Sequence, residues 1–140
     1  IEHAVSPIAV YADLSSFKLY LCDVGLLVMK AGVPQQTVLT GESNLFMGSA
    51  AENYVAQALK SNGHSLYYWT SAYQAELDFV LQNQTDIIGI EVKKGHHVRS
   101  KSLNTFIQKY KPSRSIRFSE KNFGKTGDIL PLPLYAAFCV

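Results

Sequence analysis

The stretch Asp86-Ile87-Ile88-Gly89-Ile90-Glu91-Val92-Lys93 limits the fold more than any other part of this 140-residue chain. It is short, nearly continuous in apolar side chains and rich in β-branched residues, so it predicts a central strand covered on both faces. Glu91 and Lys93 stand two positions apart in it, and strand alternation points them the same way with Val92 opposite. Ionised groups there are costly unless they are paired, hydrogen-bonded or bound to a cation.

The neighbouring segments frame this strand. Residues 65–70 are aromatic-rich and residues 75–81 alternate with period two, so three strands are expected in a row. Before them, Gly48 to Lys60 has helical spacing and closes at Asn62-Gly63. After them, residues 100–110 place Leu103, Phe106, Ile107 and Tyr110 on one helical face ahead of Pro112, and residues 115–119 make a short strand. Residues 1–40 are expected to form an extended piece leading into a helix that stops at Gly32 and Pro34. Residues 35–47 and 120–128 are expected as loops, and 129–138 as an apolar, proline-broken tail. The order helix, strand, strand, strand, helix, strand predicts an α/β domain with a mixed sheet.

Composition supports one globular domain, with 47% hydrophobic and 17% charged residues. Cys22 and Cys139 are too far apart for a metal knuckle and are expected to be buried apolar residues in a cytoplasmic protein. No apolar run has membrane-spanning length. The first residue is Ile1 with no signal-peptide pattern, which suggests a fragment of something longer.

Charge is divided along the chain. Residues 1–92 hold three Lys or Arg against nine Asp or Glu, whereas residues 93–140 hold ten against two. The basic third, from Lys93, Lys94, His96, His97, Arg99 and Lys101 to Lys109, Lys111, Arg114 and Arg117, can face a polyanion, or can be a solvated surface. If the strands carrying Asp78 and Glu91 are neighbours, the two carboxylates can converge. Two carboxylates with water suit a hard cation such as Mg²⁺, and a nearby ammonium from Lys93 can steady charge on a phosphate. Glu76 is weighed as a further ligand and expected to be exposed; Tyr67, Tyr68 and Trp69 are weighed as base-stacking residues and expected in the core.

Asp78, followed by Ile90-Glu91-Val92-Lys93 and preceded by a helix carrying Glu52, resembles the PD-(D/E)xK nuclease superfamily. The resemblance implies a restriction-endonuclease-like αβββαβ core with helices flanking a mixed sheet and an N-terminal helical extension. It implies Glu52, Asp78, Glu91 and Lys93 as catalytic residues, with Asp78, Glu91 and Glu52 toward Mg²⁺ or Mn²⁺. Leu77 stands where that motif has Pro. A closer resemblance runs through Phe17 to Leu27, Gly48 to Val55 with Glu52-Asn53, Glu76 to Val80, Glu91-Val92-Lys93 and Leu130 to Tyr135. These look like the uncharacterised C-terminal domain that follows a P-loop AAA-type ATPase module in bacteria and archaea. It implies residues 1–40 as an extension from that module and 41–140 as the nuclease-like domain. ATP would belong only to the upstream module, because no GxxxxGK[ST] loop occurs here.

Two functions are expected from this. One is metal-dependent hydrolysis of DNA, with Lys94, His96, His97, Arg99 and Lys101 on the phosphate backbone. The other is a non-cleaving module that binds DNA or a protein and regulates the attached ATPase. A third possibility is that residues 1–40 dock on the ATPase through Leu26, Leu27 and Met29.

Overall fold

A computed structural model of the chain describes residues 1–41, 45–72, 75–94 and 100–140. Among the described residues four α-helices, α1 (Val24–Lys30), α2 (Gln35–Thr40), α3 (Leu45–Ser61) and α4 (Lys101–Tyr110), accompany five strands. The strands β1 (Tyr67–Thr70), β2 (Glu76–Asn83), β3 (Asp86–Val92), β4 (Arg114–Ser119) and β5 (Leu130–Pro133) lie side by side in that order. β1, β2 and β3 form an antiparallel meander, while β3, β4 and β5 run parallel, so the sheet is mixed. The expected order of α3, three strands, α4 and a fourth strand is observed.

Each face of the sheet has its own core. On one face Ile88, Ile90 and Val92 pack with Phe79, Phe118 and the α3 residues Val55, Ala58 and Leu59. On the other, Trp69, Leu77 and Val80 pack with Leu103 and Phe106 of α4 and with Ile1, Ala4 and Ile8. Coverage on both faces is why β3 is apolar almost throughout. Phe106 lies so close over the sheet that a Cβ on Gly89 would meet its ring at 2.9 Å, which fits glycine to that place. Trp69, Phe106 and Tyr110 stack edge to face or tilted, with centroids 5.0 to 5.8 Å apart.

The pairing of β1 with β2 slips once. Tyr67 faces Val80 but Trp69 faces Leu77, so β2 carries one extra residue at Asp78 or Phe79. Such a bulge re-aims the side chains it contains. It explains how Leu77 and Val80, three apart, share one core while Phe79 belongs to the other.

Several expectations are corrected. Residues 35–40 are helical rather than looped. The proline-broken tail contains β5, followed by a 3₁₀ turn from Leu134 to Cys139. Cys22 and Cys139 are exposed rather than buried, because each falls in a segment that lies over the surface. As expected, Trp69 is a core residue: it is fully buried and donates Nε1–H to the Glu2 carbonyl and the Tyr110 hydroxyl. Among the described residues no helix is long and apolar enough to cross a membrane.

Candidate active site at the ends of β2 and β3

The site begins with how α3 holds the segment before α1. Asn53, buried on α3, accepts the Leu21 N–H at 2.8 Å and donates to the Leu21 carbonyl at 3.0 Å. One turn later Gln57 accepts the Val24 N–H at 3.3 Å. These bonds satisfy the backbone of an extended segment that has no strand partner. They also bring Lys18 and Tyr20 over the sheet beside Glu52.

An ionic network results. Glu52 Oε1 accepts from Lys18 Nζ at 3.0 Å and from the Tyr20 hydroxyl at 2.6 Å. Lys18 also pairs with Glu76 at the start of β2, and its ammonium stands 5.3 Å from the centre of the Tyr68 ring. Burial works against the Lys18 charge, but its bonds to Glu76 and Glu52 hold its pKa above the ordinary lysine value. Burial and the bond donated to Glu52 push the Tyr20 phenol well up, so it stays protonated. Glu76 is exposed as expected, yet it is a member of this network.

Asp78 sits beside the network, bordering a small cavity with Lys18, Tyr20 and Phe79. The β2–β3 ladder runs only as far as Phe79 opposite Ile90, and beyond it Asp78 Oδ2 accepts the Val92 N–H at 2.7 Å. Burial raises the Asp78 pKa to about 6. The Val92 N–H opposes that rise, the Glu52 charge adds to it, and Lys18 and Lys93 counter it.

Glu91 is placed differently. Ile90 and Val92 pack toward α3, so alternation turns Glu91 toward α4, in register with Arg117 on β4. It is 2% exposed. Oε1 meets Lys93 Nζ at 3.2 Å, and Oε2 has no hydrogen-bond partner among the described residues. Lys93, 42% exposed, is the link between the two groups of acids, since it pairs with Glu91 and also lowers the pKa of Asp78. Among the described residues no three His, Cys, Asp or Glu side chains form a group that could hold a metal ion. The expected convergence therefore takes the form of two linked clusters, because β2 is bulged at Asp78 and β3 turns Glu91 to the opposite helix.

Of the remaining expected residues, Lys101 is the exposed first residue of α4 and Lys94 borders an apolar groove with α1, α2 and α3. His96, His97 and Arg99 lie outside the described residues. Sequence reasoning missed Lys18 and Tyr20 as parts of the site. The one available signal was the pairing of an otherwise unexplained polar Asn53 with Glu52 on α3.

No curated protein matches the chain. A family model described as a domain of unknown function (DUF4143) matches residues 47–135, a span that contains Glu52, Asp78, Glu91, Lys93, Lys101 and Arg117 and excludes Lys18 and Tyr20. That match covers more than half of the sequence and the whole β1–β5 sheet, and the chain belongs to the DUF4143 family.

Proposed function

We propose that this domain is a nuclease-like module of restriction-endonuclease-like architecture that hydrolyses DNA phosphodiester bonds with a divalent ion, Mg²⁺ or Mn²⁺. The observation that carries the reading is the pair of carboxylates where the β2–β3 ladder ends. Asp78 has a raised proton affinity, and Glu91 is buried with an oxygen that no described residue satisfies. A buried carboxylate oxygen without a donor is the acceptor that a hard cation completes, and such an ion takes one or two protein carboxylates with water. To hold it, Asp78 and Glu91 would have to turn toward a common ion from their two linked clusters, with Glu52 supporting it or its water. When bound, the ion supplies Lewis-acid stabilisation and a more acidic water.

The chain's own groups do the rest. Lys93, partly open to solvent, orients the attacking water or steadies negative charge growing on the phosphate. Asp78 must be ionised to hold a cation, so its raised pKa makes cation binding weaken as pH falls below about 6. Lys94 and Lys101 supply cationic contacts to the backbone.

A second reading has its own observation. Lys18 already neutralises Glu52 and Glu76, and Lys93 already pairs with Glu91, as in a non-cleaving module that binds DNA or protein and regulates an attached ATPase. A cleavage screen on linear and branched DNA with Mn²⁺, wild type beside Glu91→Ala, separates the two. Metal-dependent cleavage that Glu91→Ala abolishes supports the nuclease. DNA binding without cleavage, unchanged in Glu91→Ala, supports the second reading.

A further inference from the structure

The face of the sheet that holds Glu91 carries a second buried ion, Arg117, which the catalytic proposal does not use. Arg117 is 8% exposed, its Nε has no hydrogen-bond partner among the described residues, and Nη1 donates to Ser100 Oγ at 3.4 Å. The Glu91 carboxylate on the neighbouring strand leaves its own Oε2 unpartnered, so the two ions do not satisfy one another. A buried guanidinium keeps its charge and offers five donors in a fixed fork, so an unused donor calls for an oxyanion.

Its surroundings match that requirement. Arg117 lines a cavity of about 590 Å³ together with Ser100, Lys101 and Asn104, which begin the ten-residue helix α4. Ser100 is the N-cap residue, yet its side chain does not cap the helix. The cavity borders Ser100 and Lys101 at the start of α4 and continues along the helix flank past Ile107 and Gln108, so the positive end of the helix dipole adds to the field of the buried arginine there. Among the described residues, Asp128 is the acid that lines it.

We infer that the cavity at the start of α4 is a phosphoryl-binding site, with Arg117 as its buried anchor, the α4 N-terminus as its backbone cradle and Lys101 at its rim. Planar bidentate donation from arginine combined with a helix N-terminus suits a phosphate better than a carboxylate, because a phosphate has oxygens for both. The phosphoryl group can come from a nucleic-acid backbone or from a small phosphorylated molecule. The site does not depend on the carboxylates acting in cleavage, so it stands or falls separately from the nuclease proposal.

The test is a titration of the isotopically labelled 140-residue chain with inorganic phosphate, followed by amide and guanidinium NMR shifts at constant ionic strength with chloride as control. Saturable shifts at Lys101 to Asn104 and at Arg117 Nε–H are expected. Arg117→Met should weaken binding by about tenfold or more, as loss of a charge-assisted bidentate donor does. Because that substitution leaves Glu91 buried beside an apolar group, Asn104→Asp serves as the second variant. Asn104 is exposed, and a new negative charge at the cavity should abolish the phosphate shifts with the fold unchanged. Shifts absent from α4 and Arg117, or spread evenly over Lys109, Lys121 and Lys125, overturn the proposal. Adding a short DNA duplex to the phosphate-bound chain then identifies the source. Displacement of phosphate by the duplex assigns the site to a nucleic-acid backbone, and retention of phosphate assigns it to a small phosphorylated ligand.

Discussion

Glu52 and Glu91 are two carboxylates on the two sides of one sheet, and their surroundings differ. Glu52 is partly exposed and has an ammonium and a phenol on one oxygen, both delivered by the segment that Asn53 clamps to α3. Glu91 is almost wholly buried, shares a single ammonium and leaves an oxygen unpartnered next to an arginine that is also incompletely bonded. A satisfied network explains itself by the structure it holds together. A buried ion with unused bonding capacity costs stability, and a domain that keeps one has a use for it.

The sharpest way to break this contrast is to remove one buried ion at a time. Arg117→Ala should destabilise the fold by about 3 to 5 kcal/mol in urea unfolding, because it opens a hole and leaves the partly exposed Lys93 as the cation beside the buried Glu91 charge. The double variant Glu91→Leu with Arg117→Met should recover most of that loss. A small cost for Arg117→Ala would mean that the two ions are already well solvated and the contrast is false.

Asp78 gives the next largest effect, with a sign fixed by its pKa. Folded Asp78 titrates near 6 against the usual 3.8, so between those values the folded chain holds a proton that the unfolded chain has released. Stability contributed by this group therefore falls as pH rises from about 4 to about 6 and is level above that, by up to about 3 kcal/mol. Asp78→Asn should remove this slope and leave the protein more stable than wild type at pH 7, since an amide oxygen still accepts the Val92 N–H. Urea midpoints of both proteins at pH 4.5 and 7 measure the difference.

Gly89→Ala should cost about 1 to 3 kcal/mol by driving a methyl into the Phe106 ring, and it should act on the Glu91 side of the sheet alone. Amide shifts should then spread through α4 and leave the Lys18 network in place. The smallest effect belongs to Lys18→Met, at about 1 kcal/mol or less, because its ion pairs are partly solvated. That variant also sharpens the functional side of the comparison. Freed from Lys18, Glu52 should raise Mn²⁺ affinity in the nuclease reading and leave it unchanged in the other.

What was legible in the sequence follows from which forces were local. α3, α4 and the first four strands carry clear periods, because each buries one stripe or face against a core. β5 was hidden by Pro131 and Pro133, which are tolerated because this strand lies at the edge of the sheet and bonds on one side only. α2 is six residues long and has no buried side chain, so no pattern marks it. Asp78, Glu91 and Lys93 stand out by strand alternation along β2 and β3, and Glu52 by the resemblance to the nuclease superfamily. Lys18 and Tyr20 do not, since their place depends on backbone capture by Asn53 over more than thirty positions. Arg117 read as one more residue of a basic run, and only strand register shows it buried beside Glu91.

The central claim is that Asp78 and Glu91 act together on a cation. Calorimetric titration of Mn²⁺ into the chain, wild type beside Asp78→Asn and Glu91→Gln at pH 7, tests it most directly. One site is expected in the wild type that either substitution removes, with affinity falling as pH drops below about 6 while Asp78 takes up its proton. Binding that survives both substitutions, or no binding by a folded wild-type chain with and without a DNA duplex present, would contradict it.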